Sequence, residues 1–224
     1  MTMTDTKQPL PPMCGRIAKL PRDHRGFPIP WFVAVQDDGT RDFRVADARK
    51  AALAIRNRLC WACGEQLGRF QAFVIGPMCV VNRVTSEPPC HQDCAEFSAT
   101  ACPFLIRPRM RRNEIDLPAG HTEPPGEFIK RNPGVACVYT TLTYRLFRAG
   151  AGGTLIKLGE PTGVKWFAEG RPATRGQVRA SINSGFPLLL DLARQQGAEA
   201  VAELEFELQR AVALLPEDPI GATT

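Results

Sequence analysis

Two close pairs of metal-type ligands, Cys60-Trp-Ala-Cys63-Gly64 and Cys90-His91-Gln-Asp-Cys94, stand in a chain that has eight cysteines and three histidines. Two thiolates two residues apart can converge on one ion, and a glycine directly behind them lets the backbone turn beneath it. His91 and Cys94 are spaced i, i+3, and Cys90 and Cys94 i, i+4, so either pair shares one face of a helix. Four protein ligands close a tetrahedral site. The expected set is Cys60, Cys63, His91 and Cys94, with Cys90 as the alternative to His91. A closed site leaves no position for a reactive water. The expected cofactor is therefore one structural Zn2+ per chain, and no catalytic residue is assigned.

The rest of the chain does not depend on that ion alone. It has 224 residues with 44% hydrophobic and 23% charged content, enough for a genuine apolar core. The net charge of +5 is unevenly spread: residues 1–112 carry 17 Lys/Arg against 10 Asp/Glu, and residues 113–224 carry 11 against 13. The half with most of the cysteines is thus the basic half, which favours an anionic partner. No apolar run reaches membrane-spanning length, so no membrane association is expected. The N-terminal "MTMTDTKQPLPP" has no apolar leader core, and a cytoplasmic location follows as the expectation. Paired cysteines there serve more often as metal ligands than as disulfides.

The local patterns predict an α+β fold: a zinc module, a β-hairpin and C-terminal helices. Residues 1–26, rich in Pro and basic residues, read as an extended arm. "WFVAV", "DDGT" and "DFRV" read as strand, turn and strand, and Asp47 as the N-cap of a helix running to about Asn57. Between the ligand pairs, "RFQAFVI" and "CVVNRV" read as a hairpin joined at "GPM". "HQDCAEFSATAC" reads as a short helix that Pro103 ends. The strand pair, helix and zinc module thus fill residues 27–112, and residues 113–132 read as a linker or long loop. Residues 133–216 form the second region, able to pack as one body with the zinc module. There "VACVYTTLTYRLF" reads as one strand, "TLIKLG" as its hairpin partner and "VKWFAEG" as a third strand. "TRGQ" has capping-box spacing for a helix that Gly185 would end. A final helix over about 198–215 carries the stripe Val201, Leu204, Leu208, Val212 and Leu215, with Glu199, Glu203 and Glu207 opposite. Cys79 and Cys137 read as core residues of strands, Cys102 as core or a neighbour of the metal, and no role is assigned to Cys14.

Knuckle, hairpin and ligand-bearing helix together resemble the treble-clef zinc fingers, over about Leu59 to Cys102. Members of that group bind nucleic acid, bind proteins or, as HNH nucleases, cut DNA. An HNH nuclease needs a histidine general base in the region that is here "FVIGPMCVVNR", which holds none; Asn82 and Glu87 read as polar remnants there, and neither activates water as well as a histidine tuned near neutral pH. "HTE" at His121–Glu123 resembles the H-x-E of zinc deaminases, but in the reversed order and without the right cysteine spacing. His121 and His24 read as loop residues. Over its whole length, through "NRVTSEPPCHQDCAEF" and "GRPAT", the chain is similar to uncharacterised zinc-finger-like proteins of phages and bacteria, which bring no activity with them.

The expected function is a non-enzymatic zinc-containing binding protein whose partner is DNA or RNA. Arg69 and Arg83 from the hairpin, with Arg107, Arg109, Arg111 and Arg112 beyond the zinc helix, would form the basic face that phosphates need. The alternatives are a protein-binding adaptor or inhibitor using the C-terminal helices, and an HNH-related nuclease.

Overall fold

The computed structural model describes residues 10–108, 117, 125, 132–148 and 153–217. A helical turn, α1 (Gly15–Ala18), precedes the strand pair β1 (Val33–Val35) and β2 (Arg41–Ala46). Asp47 caps α2 (Ala48–Asn57) by accepting from the Arg49 backbone N–H, as its sequence position predicts. Then come β3 (Gln71–Ile75), α3 (Pro77–Asn82), β4 (Val84–Thr85), α4 (Gln92–Ala101) and α5 (Pro103–Ile106). The second region supplies β5 (Ala136–Thr141), β6 (Tyr144–Arg148), β7 (Thr154–Leu158), β8 (Pro161–Ala168), β9 (Arg171–Pro172), α6 (Arg175–Gln196) and α7 (Ala198–Val212). The chain is mixed α and β, as expected.

The strands form a four-stranded sheet in the order β3-β5-β8-β9, a three-stranded sheet in the order β4-β7-β6, and the β1-β2 pair. Strand β5 is buried at every position because both faces of its sheet are covered. Side chains divide with the strand period of two. Phe73, Ile75, Cys137, Tyr139 and Trp166 enter one core, with α3, α6, α7 and the three-stranded sheet. Ala72, Val138 and Phe167 enter a second core, with Ile17, Ala54, Cys60, Trp61, Cys94 and Phe97. The ligand-bearing segments therefore lie against one face of a sheet whose other face carries the C-terminal helices. β3 from the first region pairs directly with β5 from the second, so the two regions share this sheet.

Four expectations are corrected. "CVVNRV" is not the second strand of a hairpin: Pro77 opens α3 at its first turn, where its fixed φ suits a helix, and Val80 and Val81 bury one side of it. Only Val84–Thr85 is extended, and it joins the other sheet through β7. Val135–Phe147 is not one strand. It breaks after Thr141, where the Thr143 N–H donates to Thr141 Oγ1 at 3.3 Å and the chain passes from one sheet to the other. Gly185 does not end α6, which does begin with the predicted Thr174–Gln177 capping box. A Cβ on Gly185 would lie 2.9 Å from Met78 Sδ, so this glycine allows α3 and α6 to approach within a continuous helix. Finally, residues 10–26 are not merely an extended arm, because α1 buries Ile17 in the second core. Among the described residues, no helix is long and apolar enough to cross a membrane.

Candidate metal centre

The knuckle is a tight loop closed by three backbone hydrogen bonds, two of which make its antiparallel bridge. Leu59 and Gln66 form an antiparallel bridge, Cys60 N–H donates to Glu65 O at 2.8 Å, Gly64 N–H to Cys60 O at 2.8 Å, and Leu67 N–H to Arg58 O at 2.8 Å. Gly64 has a φ of +78°, the left-handed region that glycine enters without strain. Its missing Cβ would also lie 2.7 Å from the Trp31 ring, so any larger residue clashes. Trp31 is fixed in turn by its N–H bond to Ala62 O at 2.7 Å and by Lys50 Nζ, which donates to Trp31 O at 2.7 Å and Val33 O at 2.9 Å. Phe32 stacks on Trp61 with centroids 4.9 Å apart. The N-terminal strand pair and α2 are thus the brace of the first ligand pair.

The second pair is set by a bridge to the sheet. Cys90 and Ala72 exchange backbone hydrogen bonds of 2.7 and 2.9 Å, which carries the chain into His91, the N-cap of α4. Cys94 follows in the first turn. The result brings Cys60, Cys63, His91 and Cys94 together, with one donor atom from each lying within 4.8 Å of the other three. The sulfur of Cys63 is 3.5 Å from His91 Nδ1, and that of Cys94 is 4.0 Å from it. A tetrahedral ion with ordinary zinc bond lengths would hold sulfur and nitrogen about 3.6 Å apart and two sulfurs about 3.8 Å apart. The four residues are arranged to hold a metal ion.

The surrounding hydrogen bonds prepare the donors. His91 Nε2 lies 2.9 Å from Gln66 O, and a carbonyl only accepts, so Nε2 carries the proton and Nδ1 keeps a free lone pair facing the sulfurs. The Cys63 and His91 backbone N–H groups point at Cys60 Sγ, at 3.5 and 3.4 Å. Hydrogen bonds from the thiols of Cys63, Cys90 and Cys94 pull Cys60 strongly toward the thiolate. The same bond to Cys60 pushes Cys63 up to about 11, and bonds to Cys60 and Cys63 push Cys94 up. Protons thus crowd around one thiolate, and a bound divalent cation would take their place. Cys90, the alternative fourth ligand, is buried beside Cys60 but does not belong to the mutually close quartet.

The basic face fares differently. Arg83 adopts a left-handed φ of 55° and turns inward, 7% exposed. Its Nη1 and Nη2 each lie 2.9 Å from a Glu160 carboxylate oxygen, and Nε is 3.4 Å from Glu207. Arg83 is a structural cation joining α3, the β7–β8 turn and α7, not a member of an exposed face. Glu207, opposite the apolar stripe of α7, is drawn inward by the same ion pair, its side chain only 12% exposed. Arg69 and Arg107 are both exposed, but Arg69 lies beside the start of α4 and Arg107 follows α5, beyond the far end of a helix about 15 Å long. Arg109, Arg111, Arg112 and His121 lie outside the described residues. Asn82 Oδ1 accepts from Val84 N–H at 2.9 Å, which ties it into the turn after α3. Burial pushes Cys79 up to about 11 and raises Cys102 and Cys137; Cys137 is a core residue of β5 as expected, whereas Cys79 packs against the core from α3 and not from a strand, and Cys102 is half-buried.

Two features were not legible in the sequence. Cys14 Sγ lies 3.9 Å from Cys94 Sγ, a pairing 80 residues apart that no spacing signals. A shallow groove of about 470 Å3 runs beside His91, lined by Arg16, Arg69, Phe70, Gln92, Asp93 and Glu96. Its acids are engaged: Arg16 Nη1 binds Asp93 at 2.9 Å and Lys165 Nζ binds Glu96 at 2.6 Å. Arg69 has no acidic partner among the described residues, and Phe70 beside it is 54% exposed. No protein-family model, curated protein or solved structure matches the chain.

Proposed function

We propose that this is a non-enzymatic binding protein in which a structural zinc ion, held by Cys60, Cys63, His91 and Cys94, fixes a surface that binds nucleic acid. Three thiolates and one imidazole suit Zn2+ in a closed tetrahedral site. The knuckle and the ligand-bearing start of α4 are the parts that carry the likeness to treble-clef fingers; the intervening β3–α3–β4 path is this chain's own. The observation that carries the nucleic-acid reading is the pairing of Arg69 with exposed Phe70 on the rim of the groove beside the metal. Arg56 and Arg58 are also exposed, and Arg58 Nη2 donates to Gly68 O at 3.2 Å, which holds it next to Arg69. Guanidinium groups neutralise phosphates, and an exposed ring offers a base a stacking face.

The test is fluorescence polarisation of labelled single- and double-stranded DNA and RNA over a range of salt. Binding should weaken steeply with salt, and Arg69→Glu and Phe70→Ala should each weaken it without loss of zinc. No binding to any oligonucleotide at low salt would overturn the reading. A protein-binding role has its own support in the C-terminal helices, where Leu188 is 49% exposed, Phe206 60% and Val212 37%. A partner docked there would be insensitive to salt.

A further inference from the structure

The N-terminal arm packs beside the metal centre and brings a fourth thiol to it. Arg16 spans the two ligand segments, with Nη1 2.9 Å from Asp93 and Nε 3.3 Å from Glu65, and Lys19 reaches Glu65 at 3.5 Å. Ile17 anchors the same turn in the core at 2% exposure. Just ahead of these grips, Cys14 has its sulfur 3.9 Å from Cys94 Sγ. It is half-buried, so small solutes reach it, whereas Cys94 is fully buried. Cys14 is not a member of the mutually close ligand quartet. With Asp93 and Cys94 it forms a second, smaller group of close metal-type donors, and its sulfur is in contact with a thiol of the quartet.

We propose that Cys14 is a peroxide-reactive site whose oxidation forms a disulfide with Cys94 and thereby releases the zinc; the proposal rests on zinc occupying the quartet, as inferred above. The oxidant is a hydroperoxide. Its terminal oxygen is transferred to the Cys14 sulfur, giving a sulfenic acid, and the other oxygen leaves as water when the oxidant is hydrogen peroxide. The Cys94 sulfur then attacks the Cys14 sulfur. The S–S bond forms, the S–O bond breaks, and the hydroxyl leaves as a second water after taking up a proton. The two sulfurs together lose two electrons and the peroxide gains two. The sulfurs need to close from 3.9 Å to about 2.0 Å, within the reach of rotamer changes in a surface turn. With Cys94 in a disulfide, the ion keeps only Cys60, Cys63 and His91. An open three-ligand site is exchange-labile where the closed one is not. A thiol reductant reverses the bond and restores the fourth ligand.

The experiment uses the full chain, zinc-loaded, with hydrogen peroxide as the probe. Zinc release is followed with a chromogenic chelator, and the disulfide is mapped by mass spectrometry of unreduced peptides. The wild type should release its zinc together with appearance of a Cys14–Cys94 crosslink, and reductant with added zinc should restore the starting state. Cys14→Ser should contain as much zinc as the wild type before oxidation and release it about tenfold more slowly. Equal release rates in wild type and Cys14→Ser, or crosslinks that join Cys60, Cys63 or Cys90 instead, would overturn the proposal. Absence of zinc from the untreated wild type would overturn the metal assignment instead; the crosslink map would then still test the Cys14–Cys94 pairing by itself.

Discussion

His91 Nε2 donates to the Gln66 carbonyl at 2.9 Å, and this bond turns the ring so that Nδ1 faces Cys63 Sγ at 3.5 Å. The first half of the chain's metal loop therefore selects the tautomer of a ligand from the second half. The zinc-loaded protein should show His91 protonated at Nε2 and metal-bound at Nδ1 in long-range 1H–15N spectra of the ring. A proton on Nδ1 would contradict the ligand set.

Gly64 is the point where the knuckle meets its brace. Gly64→Ala combines a strained φ of +78° with a Cβ 2.7 Å from the Trp31 ring. It should destabilise the zinc-loaded protein by about 1–3 kcal/mol in denaturant unfolding. Gly68→Ala, whose Cβ would meet nothing within 4 Å, is the matched control and should leave stability nearly unchanged.

Arg83 separates structure from binding. Removing its guanidinium leaves the carboxylate of Glu207, only 12% exposed, without that partner. Arg83→Ala should cost about 2–4 kcal/mol of stability. It should leave the salt dependence of nucleic-acid binding unchanged, unlike Arg69→Glu. A reduced salt slope for Arg83→Ala would return this residue to the binding face.

Acid should weaken the same network. Hydrogen bonds from Arg83, and next from Arg210 at 2.5 Å, hold the Glu160 carboxyl at about 2, below its ordinary 4.5. A depressed carboxylate contributes stability that is fully present above about 4.5 and is lost as pH falls toward about 2. The Glu160 side chain is 69% exposed, so the effect is small and screened by salt. Glu160→Gln should flatten the fall in melting temperature over that window. An unchanged acid limb would show that the ion pair contributes nothing there.

The cluster able to hold a metal was legible because its chemistry is local: a Cys-x2-Cys-Gly knuckle and an i, i+3 pair at a helix start name themselves. Asp47 and the Thr174 capping box were legible for the same reason. The path between the ligand pairs was not. "CVVNRV" has β-branched content, but Pro77 and burial against α6 and α7 favour a helix, and no local pattern records that burial. Arg83 reads as a surface cation until the fold brings Glu160 and Glu207 to it. Cys14 meets Cys94 because Ile17 anchors the arm in the second core and Arg16 ties it to Asp93 and Glu65, and no local pattern records either.

The most direct test is zinc content by elemental analysis of the wild type, Cys94→Ser, His91→Ala and Cys90→Ala. One zinc per chain is predicted in the wild type and in Cys90→Ala, with loss in Cys94→Ser and His91→Ala. Zinc lost from Cys90→Ala but kept in His91→Ala would replace the fourth ligand. A wild type without any bound metal would contradict the account at its centre.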